Sequence, residues 1–181
     1  AYMHGTASIL FDQTAILEGI AGQVCVVKYG YLYNWYAATD ARNIANTGWH
    51  VPSRTEWNTL VTYLGGSSVA GGHLKETGLT YWNTPNTDAD NSSAFNSRGG
   101  GFRSGVTGVF AGLKDASYHW STTTSAPDNA FLINAYYNNA TTQVSGGPYK
   151  HGLNVRLIKD STTLSDGETG TYVGNNNRTY N

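Results

Sequence analysis

The clearest hydrophobic pattern in the chain predicts a helix that begins after Ser53. Apolar side chains recur there at the spacing i, i+3, i+4 and i+7, which places them on one face of a helix: Trp57, Leu60, Val61 and Leu64. Ser53, followed three residues later by Glu56, has the pattern of a capping box, in which each side chain accepts a hydrogen bond from the other's free backbone N–H. Gly65 and Gly66 predict the end of this helix, because glycine adopts a left-handed conformation without strain.

Weaker patterns organise the rest of the chain. A second helix is predicted over residues 32–41, with Leu32, Trp35 and Tyr36 facing inward. Short strands are predicted in three ranges, 119–123, 130–137 and 153–159. Long loops separate them, and aromatic side chains are expected to pin these loops to the core: Trp82, Phe95, Phe102, Phe110 and Trp120. Two early helices, then irregular loops, then short strands predict the α+β fold class.

Three regions differ in character along the chain. Residues 1–28 are small and apolar and are predicted to form strands or an arm of uncertain role. Residues 29–160 are globular and aromatic, whereas residues 161–181 form a Ser, Thr, Gly and Asn tract typical of a linker or of an extended peripheral strand. Cys25 is the only cysteine, so no disulfide can form within the chain. No signal peptide and no apolar run of membrane-spanning length is visible in the sequence.

The composition favours a recognition surface. Charged residues make up only 13% of the chain and the formal net charge is −1, so no overall field attracts nucleic acid or an acidic membrane. Tyrosine (13) and glycine (22) are abundant, together with asparagine and threonine. Tyrosine offers large rigid contact area, and asparagine, serine and glycine offer adaptable hydrogen bonding. Many secreted β-rich domains share this bias, so the composition alone does not decide between the two interpretations.

Several motifs, in order over about 130 residues, resemble the Fibrobacter succinogenes major paralogous domain family. They are residues 29–37 (YGYLYNWYA), 48–57 (GWHVPSRTEW), 70–78 (AGGHLKETG), 100–103 (GGFR), 119–121 (HWS) and 152–160 (GLNVRLIKD). The resemblance implies a C-type-lectin-like fold akin to the formylglycine-generating-enzyme group. It also implies a binding role in a bacterial surface protein or a phage tail protein, and hence an extracellular, cell-surface or virion location.

The chain departs from the family pattern at both ends. Residues 1–28 lack the family's opening segment, whereas residues 166–168 and 172–181 resemble it. The chain is therefore interpreted either as a slice across a tandem array or as a rearranged domain, part of a larger multi-domain or oligomeric assembly.

The inventory of reactive groups does not favour catalysis. Formylglycine-generating catalysis uses a cysteine pair, which a chain with Cys25 alone lacks. The five histidines show no zinc-ligand spacing, and no GxSxG nucleophile motif occurs. The oxygen-rich residues Asn86, Asp88, Asp90 and Asn91 suit either a calcium site or ordinary turns, and turns are favoured. The glycine-rich run 98–103 is predicted to be a structural turn, and no metal and no cofactor is predicted.

The candidate ligand surface lies within residues 118–151. Planar amides offer paired donors and acceptors to sugar hydroxyls or to peptide backbone, and tyrosine rings stack on apolar faces. In lectin-like folds the corresponding region forms the exposed ligand-facing surface. About half of its members are expected to face a ligand, and Phe131 and Ile133 are expected in the core. The predicted binding residues are Tyr118, His119, Asp128, Asn129, Asn134, Tyr136, Tyr137, Asn138, Asn139, Thr141, Gln143, Tyr149, Lys150 and His151.

Three functions stay open at this point. The first is recognition of a glycan or protein receptor on another surface, without nucleic acid and without membrane insertion. The second is a structural repeat or decoration domain of an extracellular fibre or stalk, which a tail resembling the next repeat favours. The third is an enzyme related to the formylglycine-generating group with altered chemistry.

Overall fold

The computed structural model describes residues 28–160 and the strand backbone at 10–11, 172–173 and 179–180. Its helices are α1 (Trp35–Ala38), α2 (Arg54–Tyr63) and α3 (Ala70–Leu74). Its strands are β1 (Leu10–Phe11), β2 (Leu32–Tyr33), β3 (Trp49–His50), β4 (Gly100–Arg103), β5 (Phe110–Leu113), β6 (Ala116–Ala126), β7 (Asn129–Tyr136), β8 (Thr142–Pro148), β9 (Ile158–Lys159), β10 (Tyr172–Val173) and β11 (Thr179–Tyr180). Apart from these short strands and Lys28, the predicted arm at 1–28 and the predicted linker or repeat at 161–181 lie outside the described residues.

Helix α2 begins and ends where the sequence predicts. Ser53 Oγ accepts a hydrogen bond from the Glu56 N–H (3.3 Å), and the Glu56 carboxylate accepts one from the Ser53 N–H (2.7 Å). At the other end Gly65 has a φ of 90°, and the Gly66 N–H donates to the Val61 carbonyl at 2.9 Å, the long bond of a Schellman motif. The capping box and the glycine stop are both confirmed.

The helix predicted over residues 32–41 is wrong in its bounds. Leu32 is fully buried, as predicted, but it lies in strand β2, which pairs antiparallel with β1. Helix α1 starts only after Asn34, whose side-chain oxygen accepts a hydrogen bond from the Ala37 N–H at 2.9 Å. Asparagine is a strong N-cap because it satisfies a free N–H of the first turn. The strand pairing is a long-range contact that the local apolar spacing does not reveal.

Helix α3 is not predicted by the hydrophobic pattern, and two glycines make its position possible. A Cβ atom at Gly71 would overlap the carbonyl of Thr141, and one at Gly72 would overlap the carbonyl of Asp88. The Gly72 N–H donates to the Ala140 carbonyl at 3.2 Å. The absence of side chains therefore lets α3 lie directly against two loops, one of which joins β7 to β8.

Strands β6, β7 and β8 form the largest sheet, with β7 in the centre and both pairs antiparallel. It contains the strand predicted at 119–123 and nearly all of the one predicted at 130–137. In its register Tyr118 lies opposite Asn134, and Asn134 lies opposite Gln143. The pairing of β6 with β7 is irregular after Trp120. Five of the seven β6–β7 register pairs precede that irregularity, so the sheet is regular where the aromatic residues lie.

The strand predicted over residues 153–159 is wrong over most of its length. Only its end, Ile158–Lys159, forms strand β9, which pairs with β3. Leu153 and Asn154 make isolated bridges to two different segments, at Tyr33 and His119 respectively. Both are buried, so the expected alternation of core and solvent positions fails. The segment lies between Tyr33 of β2 and His119 of β6, so its consecutive residues are covered from both sides.

The prediction of a structural turn over the glycine-rich run 98–103 is wrong in part. Gly100–Arg103 is strand β4, paired antiparallel with β5. Gly101 has a φ of 64°, and a Cβ atom there would overlap the carbonyl of Ala111. Glycine is thus required by a close strand contact as well as by the backbone conformation.

The core forms two clusters. One contains Trp120, Leu132 and Leu153, and the other contains Trp57 and Ile133. Each buried indole N–H has an acceptor: Trp57 donates to the Trp120 carbonyl (3.2 Å), Trp82 to that of Ser97 (2.9 Å) and Trp120 to that of Tyr33 (2.8 Å). Ile133 is in the core, as predicted.

The prediction for Phe131 is wrong. Its ring is only partly buried, and the guanidinium carbon of Arg54 lies 4.1 Å from the ring centre. Both of its neighbours, Ala130 and Leu132, are buried in the first core cluster, and Ile133, on the same face of β7 as Phe131, is buried in the second. In the described part of the chain, helices α1 to α3 and small, mostly antiparallel sheets make the fold α+β, the class predicted.

Candidate ligand-binding site

A groove of about 270 Å³ lies on one face of the β6–β7–β8 sheet, and we call it the sheet groove. Aromatic rings form one part of its lining, and the segment 145–147 of β8, whose side chains are small or absent, forms another. Its lining residues are Phe102, Tyr118, Leu132, Asn134, Tyr136, Ser145, Gly146, Gly147, Pro148, His151 and Leu153. Four of the fourteen predicted binding residues meet in it: Tyr118, Asn134, Tyr136 and His151.

Aromatic side chains form a continuous wall of the sheet groove. The ring of Tyr118 meets that of Tyr136 edge to face, with centres 6.1 Å apart, and meets that of Phe102 at 5.7 Å. Phe102 in turn stacks on His151 at 5.6 Å. Aromatic pairs in such arrangements hold one another in place. The wall therefore presents ring edges and faces at fixed positions.

Two polar groups supply directional contacts. The Asn134 side-chain oxygen accepts the Gln143 N–H at 3.2 Å, and its Nδ2 lies 3.4 Å from Ser145 Oγ. An amide nitrogen carries two hydrogens, so one remains for a ligand. His151 Nδ1 accepts the Gly105 N–H at 3.1 Å, which leaves Nε2 to carry the proton of the neutral ring. The groove thus offers amide and imidazole donors beside the rings.

The sheet groove is electrically neutral. Burial lowers the pKa of His151, so its ring is uncharged at neutral pH. Burial, and then the hydrogen bond with Tyr136, raise the pKa of Tyr118, so its phenol keeps its proton. None of the described residues lining the groove is Asp, Glu, Lys or Arg. The arrangement suits an uncharged ligand with one apolar face.

The other predicted residues lie elsewhere. At the β6–β7 turn Asp128 has a φ of 59°, and Asn129 Nδ2 donates to the Pro127 carbonyl at 2.9 Å. At the β7–β8 turn the Asn139 side-chain oxygen accepts the Thr141 N–H at 2.9 Å. These contacts are typical of side chains that shape turns. The remaining members near the second turn are Tyr137, Asn138 and Gln143, of which Asn138 and Gln143 are exposed.

Tyr149 and His119 hold framework positions. The ring of Tyr149 stacks on that of Trp35, with centres 4.1 Å apart. His119 follows Tyr118 in β6, so it points to the opposite face of the sheet, where its ring meets those of Trp57 and Phe95. Lys150 is exposed next to His151. The predicted surface is therefore split between one groove, two turns and the far side of the sheet.

Sequence reasoning missed seven of the eleven residues that line the sheet groove. Phe102 belongs to the GGFR motif, but its strand was not predicted. Ser145, Gly146 and Gly147 lie in β8, which has almost no apolar pattern. The two glycines leave room for the side chains of Ser125 and Leu132, which are distant in sequence, so no local signal marked this part of the groove.

A buried lysine fixes the loops around the site. The Lys75 ammonium donates to three backbone carbonyls: Thr87 at 2.8 Å, Tyr136 at 2.9 Å and Asn139 at 2.8 Å. Burial lowers the pKa of Lys75 to about 8, and the nearby Asp88 carboxylate opposes that change. Lys75 thereby ties the residue after α3 to the loop at Thr87 and to the β7–β8 connection.

A second cluster of titratable groups connects strand β3, helix α2 and the residue that follows strand β9. His50 Nδ1 lies 2.5 Å from the Asp160 carboxylate, and His50 Nε2 lies 2.8 Å from that of Glu56. The hydrogen bonds to Asp160 and then Glu56 raise the pKa of His50. This cluster has a structural position beside the capping box of α2, away from the sheet groove.

The oxygen-rich loop contains turns and one His–Asp–Ser contact. Asp90 accepts the Ser92 N–H at 2.9 Å, as an Asx turn does. His73 Nδ1 contacts both Asp90 (2.9 Å) and Ser92 Oγ (2.9 Å). A catalytic triad needs the carboxylate on one ring nitrogen and the hydroxyl on the other, so this trio lacks that geometry. Within the described residues no group of three His, Cys, Asp or Glu side chains could hold a metal ion.

Comparison with family models decides the family. The model described as the Fibrobacter succinogenes major domain matches residues 20–159 of this chain. The chain belongs to this family. No match was found among curated proteins, and none among solved structures.

In this Fibrobacter succinogenes major domain the motif residues mostly build the framework. Asn34 caps α1, Trp57 and Trp120 are buried, and Lys75 bonds the loop at Thr87 and the β7–β8 connection. Phe102 is the motif residue that contributes an aromatic ring to the lining of the sheet groove. The family pattern therefore specifies the scaffold, and the groove is completed by residues outside the motifs. Across the described part of the chain, no helix has the length and apolarity needed to cross a membrane.

Proposed function

We propose that this domain is a non-catalytic glycan-binding module of a bacterial surface protein or phage tail protein, acting outside the cell. The sheet groove is its binding site. The observation that carries the proposal is the joining of Tyr118, Tyr136 and His151 with the amide of Asn134 in one neutral groove. We further propose a C-type-lectin-like relationship for the fold, supported by the family resemblance and by the α+β architecture.

The chemistry of the groove supports a neutral sugar as the ligand. A sugar ring has an apolar face that stacks on aromatic rings and hydroxyl groups that pair with amides. A protein receptor is the other class of ligand, and the experiment below distinguishes it.

A structural role in a fibre or stalk is the second candidate. It is favoured by the resemblance of residues 172–181 to the opening segment of the family, which would place another repeat after this one. A structural repeat needs no ligand in the sheet groove. Substitutions there would then leave binding to foreign surfaces unaffected.

The test is a glycan array combined with a pull-down from cell-surface material before and after glycosidase treatment. Tyr136→Ala removes one ring of the groove, and the expected loss of binding free energy is about 1–3 kcal/mol. Tyr63→Ala is the matched control, because Tyr63 is 85% exposed on α2. Glycosidase-sensitive binding lost only in Tyr136→Ala supports the proposal. Glycosidase-resistant capture indicates a protein receptor, and no binding by the wild type favours the structural repeat.

A further inference from the structure

A second cavity, of about 480 Å³, lies on the other side of strand β6, and we call it the basic cleft. Tyr118 and His119 are consecutive in β6, so their side chains point to opposite faces of the sheet. Tyr118 lines the sheet groove and His119 lines the basic cleft. The cleft is thus separate from the proposed neutral-sugar site, and its volume lies in the usual range of small-molecule sites, about 300–1,000 Å³.

The charge of the basic cleft is unbalanced. Lys28, Arg98 and Arg156 all line it, and none of the described residues that line it is acidic. Arg98 is held by Glu76, with Nε 2.6 Å from the carboxylate. No ion pair is found for Lys28 or Arg156 among the described residues. One cation of the three is therefore neutralised locally, and the part of the chain that the structure describes provides no carboxylate for the other two.

Arg156 is positioned by contacts that leave its charge uncompensated. Its guanidinium carbon lies 4.5 Å from the centre of the Phe95 ring, and its Nη2 donates to the Phe95 carbonyl at 2.8 Å. Burial lowers the pKa of Arg156. Burial, and then the nearby charge of Arg156, lower the pKa of His119 to about 3. A guanidinium has five donor hydrogens, and one bond to a carbonyl leaves the others for an oxyanion.

The wall that faces the cations is rigid and polar. Asn154 Nδ2 donates to the carbonyls of Tyr29 (3.0 Å) and Tyr31 (3.2 Å), which fixes the backbone of that segment. Arg98 Nη1 donates to the Lys28 carbonyl at 2.8 Å, which fixes the backbone of the residue before Tyr29. Tyrosine, asparagine and neutral histidine around two cations match a ligand that carries hydroxyl groups and a negative charge.

We propose that the basic cleft binds an acidic saccharide, one whose sugar rings carry a carboxylate or sulfate group held by Arg156 and Lys28. This site is independent of the sheet groove, because it uses other residues on the opposite face of the sheet. A domain with both sites would read a neutral sugar on one side and an acidic one on the other.

The test is titration of the full chain, by calorimetry, with trigalacturonate, with its neutral methyl ester and with a sulfated disaccharide. The acidic probes are expected to bind and the ester to bind at least tenfold more weakly, since hydrogen bonds to charged groups dominate such contacts (about tenfold each). The preferred acidic probe identifies the oxyanion. Arg156→Gln and Lys28→Gln are each expected to weaken its binding about tenfold.

Two controls separate a site from general attraction. Lys159→Gln makes the same charge change at an exposed position outside the cleft and is expected to change affinity less than about twofold. Tyr136→Ala, in the sheet groove, is expected to leave acidic-probe binding unchanged. In the wild type the ring signals of His119 are expected to shift on addition of the acidic probe, a readout that does not depend on the Arg156 variant being folded. Equal binding of acid and ester, equal effects of Lys159→Gln and Lys28→Gln, or no binding of either acidic probe would overturn the proposal.

Discussion

The Lys75 ammonium donates a hydrogen bond to the backbone carbonyl of Tyr136 at 2.9 Å, which connects the most buried cation of the domain to a tyrosine of the sheet groove. Lys75 follows helix α3, and Tyr136 ends strand β7. The bond therefore passes from a framework motif to the proposed site. It explains how the family's motif residues, most of which lie outside the groove, nevertheless determine where its rings stand.

Replacing Lys75 with methionine is expected to destabilise the domain strongly. Methionine fills a similar volume but leaves three buried carbonyls without a donor, and the expected loss is about 3–5 kcal/mol of unfolding free energy. Urea denaturation measures it. Lys159→Met, at an exposed lysine, is the control and is expected to stay within about 0.5 kcal/mol of the wild type. Equal stability of the two variants would contradict the role given to Lys75.

Lys75 also predicts a rise in stability with alkaline pH. Its pKa is about 8 in the folded protein and 10.5 when unperturbed, so between these values the unfolded chain binds the extra proton. Unfolding free energy then rises with pH across this window, which is the sign required when the unfolded state binds more protons. Comparing urea midpoints at pH 7.5 and 9.5 for the wild type and Lys75→Met isolates this contribution. An equal pH dependence in both proteins would show that Lys75 does not titrate there.

His50 predicts the opposite dependence near neutrality. Its pKa is raised above 6.5 by Asp160 and Glu56, so its contribution is fully present below pH 6.5 and disappears as the pH rises through the folded-state pKa. His50→Gln is expected to lower the melting temperature clearly at pH 6 and much less at pH 8.5. Thermal unfolding followed by circular dichroism at both pH values provides the measurement. A deficit that grows towards pH 8.5 would contradict this account.

Gly71→Ala is expected to destabilise the domain without removing any hydrogen bond. The new methyl group would overlap the carbonyl of Thr141, so α3 or the β7–β8 turn must move, at a cost of about 1–3 kcal/mol. Ser68→Ala, at an exposed position before α3, is the matched control and is expected to be nearly neutral. Denaturant titration of both variants checks the difference. A neutral effect of Gly71→Ala would mean that α3 and the β7–β8 turn are not in close contact.

Local signals were sufficient where a structure is determined by neighbours in sequence. Helix α2 was predicted with both ends because its capping box and its glycine stop involve residues within one turn of each end. Asn134 and Tyr136 are two residues apart in the strand predicted at 130–137, so they share one face, and both line the sheet groove. In these cases the spacing of the residues along the chain determines which groups lie next to one another.

Local signals failed where distant segments decide. Leu32 has helical spacing to its neighbours, yet strand pairing holds it in β2. Asn154 lies in the range predicted as a strand, yet its amide is buried and bonds the carbonyls of Tyr29 and Tyr31, more than 120 residues away. The basic cleft was not predicted, since Lys28, Arg98 and Arg156 come together only through such contacts.

The most direct test of the central claim is to map a bound neutral glycan by amide and aromatic NMR shifts, using a ligand selected from the array. The account predicts that the perturbed signals cluster at Tyr118, Asn134, Tyr136, Gly146 and His151, and that they are absent from the two turns at 127–129 and 138–141. Perturbations confined to those turns, with the groove signals unmoved, would contradict it.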